Sequence, residues 1–284
     1  MAVQPRLASA VMLLRPTSMA SEPEQGQGQE REKGRGFEVF MVRRVIQSDF
    51  MPDVYVFPGG SVTADDRAAE QTEGICAPVA PSAADPEGRT APGNGTRAAA
   101  IRELFEEAGI LLAVRDGQML AVSSENERRF QQYREAFQQR TGSLVQMATT
   151  EHLTLATGLL HYFAHWITPE GMPKRFDTHF FVATAPNEQQ AEYDQLETSE
   201  GIWIAPAEAL ARFERGEFPI VFATIYQLRE LAAFTSVQDA LQYTATHRVP
   251  VRQPVLSQQE GAVRVHLPDE ADNSWVVPEH MRKQ

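Results

Sequence analysis

Three glutamates, Glu103, Glu106 and Glu107, are the residues of this chain whose type and spacing could do chemistry. At roughly 100° per residue on a helix they fall within one narrow arc. Ile101, Leu104, Phe105 and Ala108 fall on the opposite face, which suits packing against a sheet. Like charges at i, i+3 and i+4 repel by roughly 0.2–0.5 kcal/mol per pair. A hard divalent cation turns that repulsion into binding, because Mg²⁺ takes a few carboxylates together with phosphate oxygens. Alone the trio reads as well as a solvated acidic face; with Arg102 before it, Gly109 after it and the Phe57-Pro58-Gly59-Gly60 segment upstream it reads as a site for Mg²⁺ or Mn²⁺. Gly109 stands where a helix C-cap glycine belongs, and Thr96 reads as the N-cap.

Other elements must position these carboxylates. Val54-Tyr55-Val56-Phe57 reads as a short strand, ended by the turn Pro58-Gly59-Gly60, whose glycines let backbone approach the helix. Residues 8–14 and 37–44 read as an outgoing and a returning strand. Residues 17–36 between them are polar and low in complexity, a flexible loop. Residues 61–95 form an insertion dense in Ala, Pro, Gly and Asp, and 110–114 is a strand. Ser124 and Glu127 suggest a capping box opening a helix that runs to residue 140. Its stripe of Phe130, Tyr133 and Phe137 is expected to pack in the core. Residues 160–167 and 178–185 read as paired strands. Helices are expected over 206–216, 222–234 and from a Ser236 cap through 246, with 247–284 irregular. Alternating strands and helices predict an α/β/α sandwich with a mixed β-sheet and inserted loops, its domain ending near residue 246.

Composition narrows the function classes. The chain has 284 residues, 42% of them hydrophobic, enough for a sizeable core. Its formal net charge is −12, which argues against binding nucleic acid or a membrane surface through bulk electrostatics. A small anionic substrate is still allowed, because a bound metal and a few arginines set the local field. One cysteine, Cys76, excludes an internal disulfide framework and fits a reducing, cytoplasmic setting; it reads as an incidental thiol. No apolar run is long enough for a transmembrane helix. The apolar stretch 7–14 faintly suggests a signal-peptide core but serves better as the first strand. The final residues lack a Ser-Lys-Leu peroxisomal address. His161 and His165 are four apart, as zinc ligands on a helix can be, but the segment reads as strand and no zinc is expected from that pair.

Arg102-Glu103-Leu104-Phe105-Glu106-Glu107-Ala108-Gly109-Ile110, preceded by Phe57-Pro58-Gly59-Gly60, resembles the box of the Nudix hydrolases, Gly-x5-Glu-x7-Arg-Glu-U-x-Glu-Glu-x-Gly-U with U apolar. Counted back contiguously from Arg102, the pattern meets Asn94 where it wants a glutamate. Counted forward from Gly60, it meets Asp66 instead. Gly60 and Arg102 are then 42 positions apart where the pattern has 14, so 28 additional residues interrupt the box. An interrupted box of this kind is similar to a branch that includes the peroxisomal coenzyme A diphosphatase of animals. The similarity extends through Phe50-Met51-Pro52, Trp166-Ile167-Thr168-Pro169, Arg175-Phe176-Asp177-Thr178-His179-Phe180-Phe181, Trp203 and Pro206-Ala207-Glu208-Ala209-Leu210.

The resemblance implies metal-dependent hydrolysis of a phosphoanhydride in a nucleoside diphosphate linked to another moiety. Coenzyme A or acyl-CoA is the leading substrate, with ADP-ribose or a dinucleotide as the alternative and a non-catalytic nucleotide-binding module as a further one. It implies metal on Glu103, Glu106 and Glu107, with Arg102 orienting them. It also implies a general base on a later loop before the Trp203 strand, for which Glu200 is preferred over Glu197, with Glu107 a third candidate. Gly59, Gly60, Arg175 and Asp177 are the expected substrate contacts, though a salt bridge between strand ends would explain the last two as well. The coenzyme A motif of some relatives is not cleanly present between Arg43-Arg44 and Phe57. A homodimer is compatible with the sequence.

Overall fold

The computed structural model describes residues 3–17, 36–46, 51–123, 125–194, 196–259 and 261–277. Most of the 17–36 loop, and Ser124 of the expected capping box, lie outside the described residues. The chain opens with β1 (Arg6–Pro16), β2 (Phe37–Arg44), β3 (Tyr55–Val56), β4 (Gly59–Ser61), α1 (Ala64–Gln71) and α2 (Thr96–Ala108). Next come β5 (Ala113–Arg115), β6 (Gln118–Met119), α3 (Glu127–Gln138), α4 (Leu144–Glu151), β7 (Thr154–Leu155), β8 (His161–Ile167), β9 (Phe176–Thr184) and β10 (Thr198–Ile204). Helices α5 (Pro206–Glu214), α6 (Phe222–Leu231) and α7 (Val237–Thr246) precede β11 (Val251–Arg252), β12 (Val255–Gln259), β13 (Ala262–His266) and β14 (Trp275–Val276).

The main sheet runs β10-β2-β1-β9-β8-β11, with β3 added to β2 and β4 to β1. It is mixed, since β1–β9 and β8–β11 are parallel and the remaining pairs antiparallel. The central strand β1 shows why both faces are covered. Val11 and Leu13 pack with Ile101, Leu104 and Phe105 of α2, while Met12 and Leu14 pack with Ile225 and Leu228 of α6. Successive side chains of a strand point to opposite faces, so a continuous apolar run buries on both, and the predicted α/β/α sandwich is what forms.

Three expectations differ from the structure. Residues 247–277 are not irregular: β11 extends the main sheet, and β12, β13 and β14 make a separate three-stranded antiparallel sheet. These strands are only two to five residues long, too short for periodicity to reveal them. The insertion, in turn, contains α1, opened by Thr63 and Asp66 as a reciprocal capping box. Thr96 does not cap α2; it is the first helical residue, after Gly95 in the left-handed region. A remote carboxylate does the capping instead. Glu70 of α1 accepts from the backbone N–H groups of Gly93, Gly95, Arg97 and Ala98 at 2.8, 3.0, 2.8 and 3.0 Å. At the other end, Arg134 of α3 donates to Glu106 O at 2.9 Å, and Gly109 closes the helix at φ 70°. An anion at the N-terminus and a cation at the C-terminus both favour the helix dipole.

Candidate active site

Arg102 organises the acidic side of α2. Its Nε and one terminal nitrogen donate to the two carboxylate oxygens of Asp66 at 2.9 and 3.0 Å. That terminal nitrogen also donates to Ser61 O at 2.9 Å, and the other donates to Glu103 at 2.7 Å and Glu106 at 2.8 Å. All the N–H groups of the guanidinium fork are thus engaged. Asp66 is fully buried, and its remaining bonds come from Thr63 N and Thr63 Oγ1 at 2.7 and 2.8 Å. It grips Arg102 from 36 positions away in sequence. Asn94, favoured by the contiguous count, accepts instead from the Thr96 backbone N–H and hydroxyl.

Strand β4 lies so close to β1 and α2 that a side chain at either glycine meets a neighbour. A Cβ on Gly60 would collide with the Glu103 carboxylate, and one on Gly59 would lie 2.5 Å from both Ala10 Cβ and Ser9 O. The Gly59 N–H meanwhile donates to Glu107 at 3.0 Å. Glu103 and Glu107 are buried and Glu106 is half-buried. Burial raises Glu103 to about 7, with Arg102 opposing and Glu106 and Asp66 adding repulsion. Burial likewise lifts Glu106, against the pull of Arg102, with Glu197 adding repulsion. It lifts Glu107 well above the carboxylate range, helped by Glu103 and opposed by Arg44 and the Gly59 N–H. Three crowded oxygen donors that one arginine does not neutralise suit a hard divalent cation, which favours the ionised form of each. Glu103 and Glu106 are drawn onto Arg102 and Glu107 onto Gly59, so the trio is crowded without converging on one point.

These carboxylates line a cleft of about 860 Å³. Arg6, Arg44 and Lys174 also line it. Phe57, Trp166, Phe180, Phe222, Leu256 and Trp275 form its apolar part, so the C-terminal sheet supplies a wall. Glu197 lines the cleft and its charge acts on Glu106. The structure does not bring Glu200 there: Tyr55 donates to it at 2.6 Å and Arg43 lies 4.0 Å away. Two expected substrate contacts are also elsewhere. Arg175 is buried and donates to the carbonyls of Thr168 and Val3 at 3.0 and 2.8 Å. Asp177 is bonded to His165. Both alternate along the chain with Lys174, Phe176 and Thr178, which do line the cleft. Pairing with a neighbouring strand therefore accounts for them, and their carboxylate and guanidinium point away from the trio.

The expected aromatic stripe packs in the core: Phe130 and Phe137 are buried there and Tyr133 packs against them, while Phe137 also meets Phe105 edge-on and borders the cleft. Sequence reasoning missed Glu70, and with it Asp65, which accepts from Ser143 Oγ and Leu144 N at 2.6 Å each at the start of α4. The signal was present as Thr63 followed three residues later by Asp66, a capping-box spacing inside what read as loop.

With this geometry in hand, the match of residues 71–231 to the family model described as the NUDT19 Nudix domain is decisive, since it takes in more than half of the chain. The chain belongs to the NUDT19 Nudix family. By membership it is a Nudix hydrolase. Acyl-coenzyme A diphosphatase NUDT19 of Xenopus laevis is 26% identical over 82% of this chain and 70% of its own length. The proteins of the same name from Gallus gallus and Homo sapiens are each 28% identical, over 74% and 72% of this chain and 65% and 63% of theirs. The chain thus spans about two thirds of the length of these NUDT19 relatives. Among solved structures, a Nudix hydrolase from Alicyclobacillus acidocaldarius superposes with a TM-score of 0.65, covering 87% of this chain and 98% of its own at 22% identity. That likeness establishes the fold. Among the described residues, no helix is long and apolar enough to cross a membrane.

Proposed function

We propose that this NUDT19-family chain is a divalent-metal-dependent diphosphatase that cleaves the phosphoanhydride of coenzyme A or acyl-CoA, releasing 3′,5′-ADP and 4′-phosphopantetheine or its acylated form. The observation that carries the reading is that one cleft is lined by the carboxylates, by cationic side chains and by apolar ones. A nucleoside diphosphate with an extended, partly apolar arm matches that combination of surfaces, and relatives named as acyl-coenzyme A diphosphatases support the substrate class.

Glu103, Glu106 and Glu107 would hold Mg²⁺ or Mn²⁺, which when bound polarises phosphoryl oxygens and lowers the pKa of water. Arg102 fixes Glu103 and Glu106 through charge-assisted hydrogen bonds, and Asp66 fixes Arg102. Gly59 and Gly60 keep β4 close enough for this packing. Arg44 and Lys174 offer positive charge to the diphosphate along the cleft. Water adds to one phosphorus, the bridging oxygen departs with the other phosphate, and Glu197 takes the proton of the attacking water. Glu197 is preferred to Glu200 as base because it faces the cleft while Glu200 is bonded to Tyr55.

The test is hydrolysis of CoA, acetyl-CoA, a long-chain acyl-CoA, ADP-ribose, NADH and diadenosine phosphates with Mg²⁺ or Mn²⁺, alongside Glu106→Gln. CoA or an acyl-CoA should lead in kcat/KM, with turnover lost in the variant. Preference for ADP-ribose or a dinucleotide would replace the substrate assignment and leave the metal site standing. Metal binding with no turnover of any of them would make the protein a binding module.

A further inference from the structure

A second cluster of ligand-type side chains lies on the other face of β9 from the cleft. His165 on β8 is directly opposite His179 on β9, and Asp177 is two residues before His179 on the same face. A β-bulge between Tyr162 and Ala164 produces this set. Before the bulge His161 pairs with Val182; after it His165 pairs with His179, so the two histidines of β8 occupy opposite faces. The pair four apart in sequence is therefore not a site, and a cross-strand pair takes its place.

We propose that His165, Asp177 and His179 form a binding site for a borderline divalent cation of the zinc type, independent of the carboxylates on α2. Among the described residues, their donor atoms are the three of ligand type that lie within 4.8 Å of one another. Both imidazole Nε2 atoms are turned toward one Asp177 oxygen, that of His165 bonded to it and that of His179 at 3.8 Å. Ligand bonds of about 2.0–2.2 Å place the donors of a tetrahedral zinc about 3.3 Å apart, a separation that small side-chain rotations reach here. The outer contact is also in place. Tyr162 Oη lies 3.1 Å from His179 Nδ1, the partner that fixes ring orientation and leaves Nε2 as the donor. The rings of His165 and His179 stack with centroids 4.2 Å apart, and each is at most 4% exposed. Asp177 is 30% exposed and gives the cation a way in.

Two neutral imidazoles and one carboxylate prefer zinc to Mg²⁺, which seeks oxygen ligands. Beyond the cluster itself, Asp85 and Arg89 of the insertion act on His179 with opposite signs. Three protein ligands leave a fourth position for water. Bound there, the cation fastens β8 to β9 beneath the insertion.

The experiment uses the full chain, freed of metal by chelation and titrated with Zn²⁺ or Co²⁺ in excess Mg²⁺, which occupies the α2 carboxylates. One equivalent should bind, with a visible ligand-field band for Co²⁺. Affinity should fall at least about 100-fold in His179→Ala and in Asp177→Asn, and about 10-fold in Tyr162→Phe, which keeps every ligand. The unmodified protein provides a check that needs no variant: zinc-edge anomalous diffraction should place the ion between the three side chains. An anomalous peak at the α2 carboxylates alone, or unchanged affinity in folded His179→Ala, would overturn the site and leave a buried imidazole–carboxylate pair only.

Discussion

The carboxylates around α2 fall into two sets that differ in how completely they are bonded. Asp66 and Glu70 are spent: Asp66 accepts from Arg102 and Thr63 on both oxygens, and Glu70 receives four backbone N–H groups. Glu103, Glu106 and Glu107 share one arginine fork and one glycine N–H, and burial raises all three. Structural anions in a folded chain are matched by donors, because an unmatched buried charge is costly. An unmatched set persists where something else supplies the positive charge. The contrast marks α2 as a helix held by one group of acids in order to present another.

The strongest way to break the contrast is to neutralise a member of the unmatched set. Glu106→Gln should lower kcat by about 10³-fold or more, equivalent to roughly 4 kcal/mol of barrier. Thermal melting in EDTA should show no loss of stability. A large drop in Tm with activity lost only in proportion would place Glu106 with the structural acids.

Next in size is the group proposed to take the proton. Glu197→Gln should cost about 10²-fold in kcat, within the range for general bases. Glu200→Gln, altering a group bonded to Tyr55 outside the cleft, should stay within about threefold, at the scale of one exposed hydrogen bond. Equal losses, or a larger one at Glu200, measured by steady-state kinetics at saturating metal, would reverse the assignment made from the cleft.

What the sequence made legible follows the same division. The unmatched trio was legible through Arg102, Gly109 and the glycine turn that flank its helical arc, and the central strands as continuous apolar runs. The matched acids did not. Glu70 lies 25 or more positions from the helix it caps, and no local periodicity carries such a contact. Asp66 was reachable only through the spacing of a known box. Arg175 and Asp177 misled because they alternate along the chain with cleft residues: the run was right and the face was wrong. No zinc was expected from His161 and His165; the facing of His165 and His179, set by a bulge that shifts the alternation by one, was not readable in the sequence. The C-terminal strands went unseen because their burial is shared with the cleft and α6 rather than with a face of their own.

Removing the cap tests the matched set. Glu70→Ala strips the acceptor from four N–H groups and the anion from the N-terminus of α2. The expected loss is about 1–2 kcal/mol, the range for helix caps, read as a lower urea midpoint with unchanged m. Specific activity of the remaining folded protein should be within a few-fold of normal. If it falls as far as that of Glu106→Gln, the cap and the carboxylate trio are one unit and the division fails.

The smallest effect is a pH dependence whose sign distinguishes the two sets. Glu103 is raised to about 7 in the fold, against about 4.5 for an ordinary glutamate. Between those values the folded chain holds a proton that the unfolded chain has released, so this group's contribution to stability is full below about 4.5 and is lost as pH rises toward 7. The Tm of the chelated protein minus that of Glu103→Gln should therefore decline by a few degrees from pH 5 to pH 7.5. Saturating Mg²⁺ should flatten or invert the decline, because the cation favours the ionised carboxylate. A difference that rises with pH in EDTA would mean that Arg102 alone already neutralises Glu103, and the trio would then belong with Asp66 and Glu70 as a matched set.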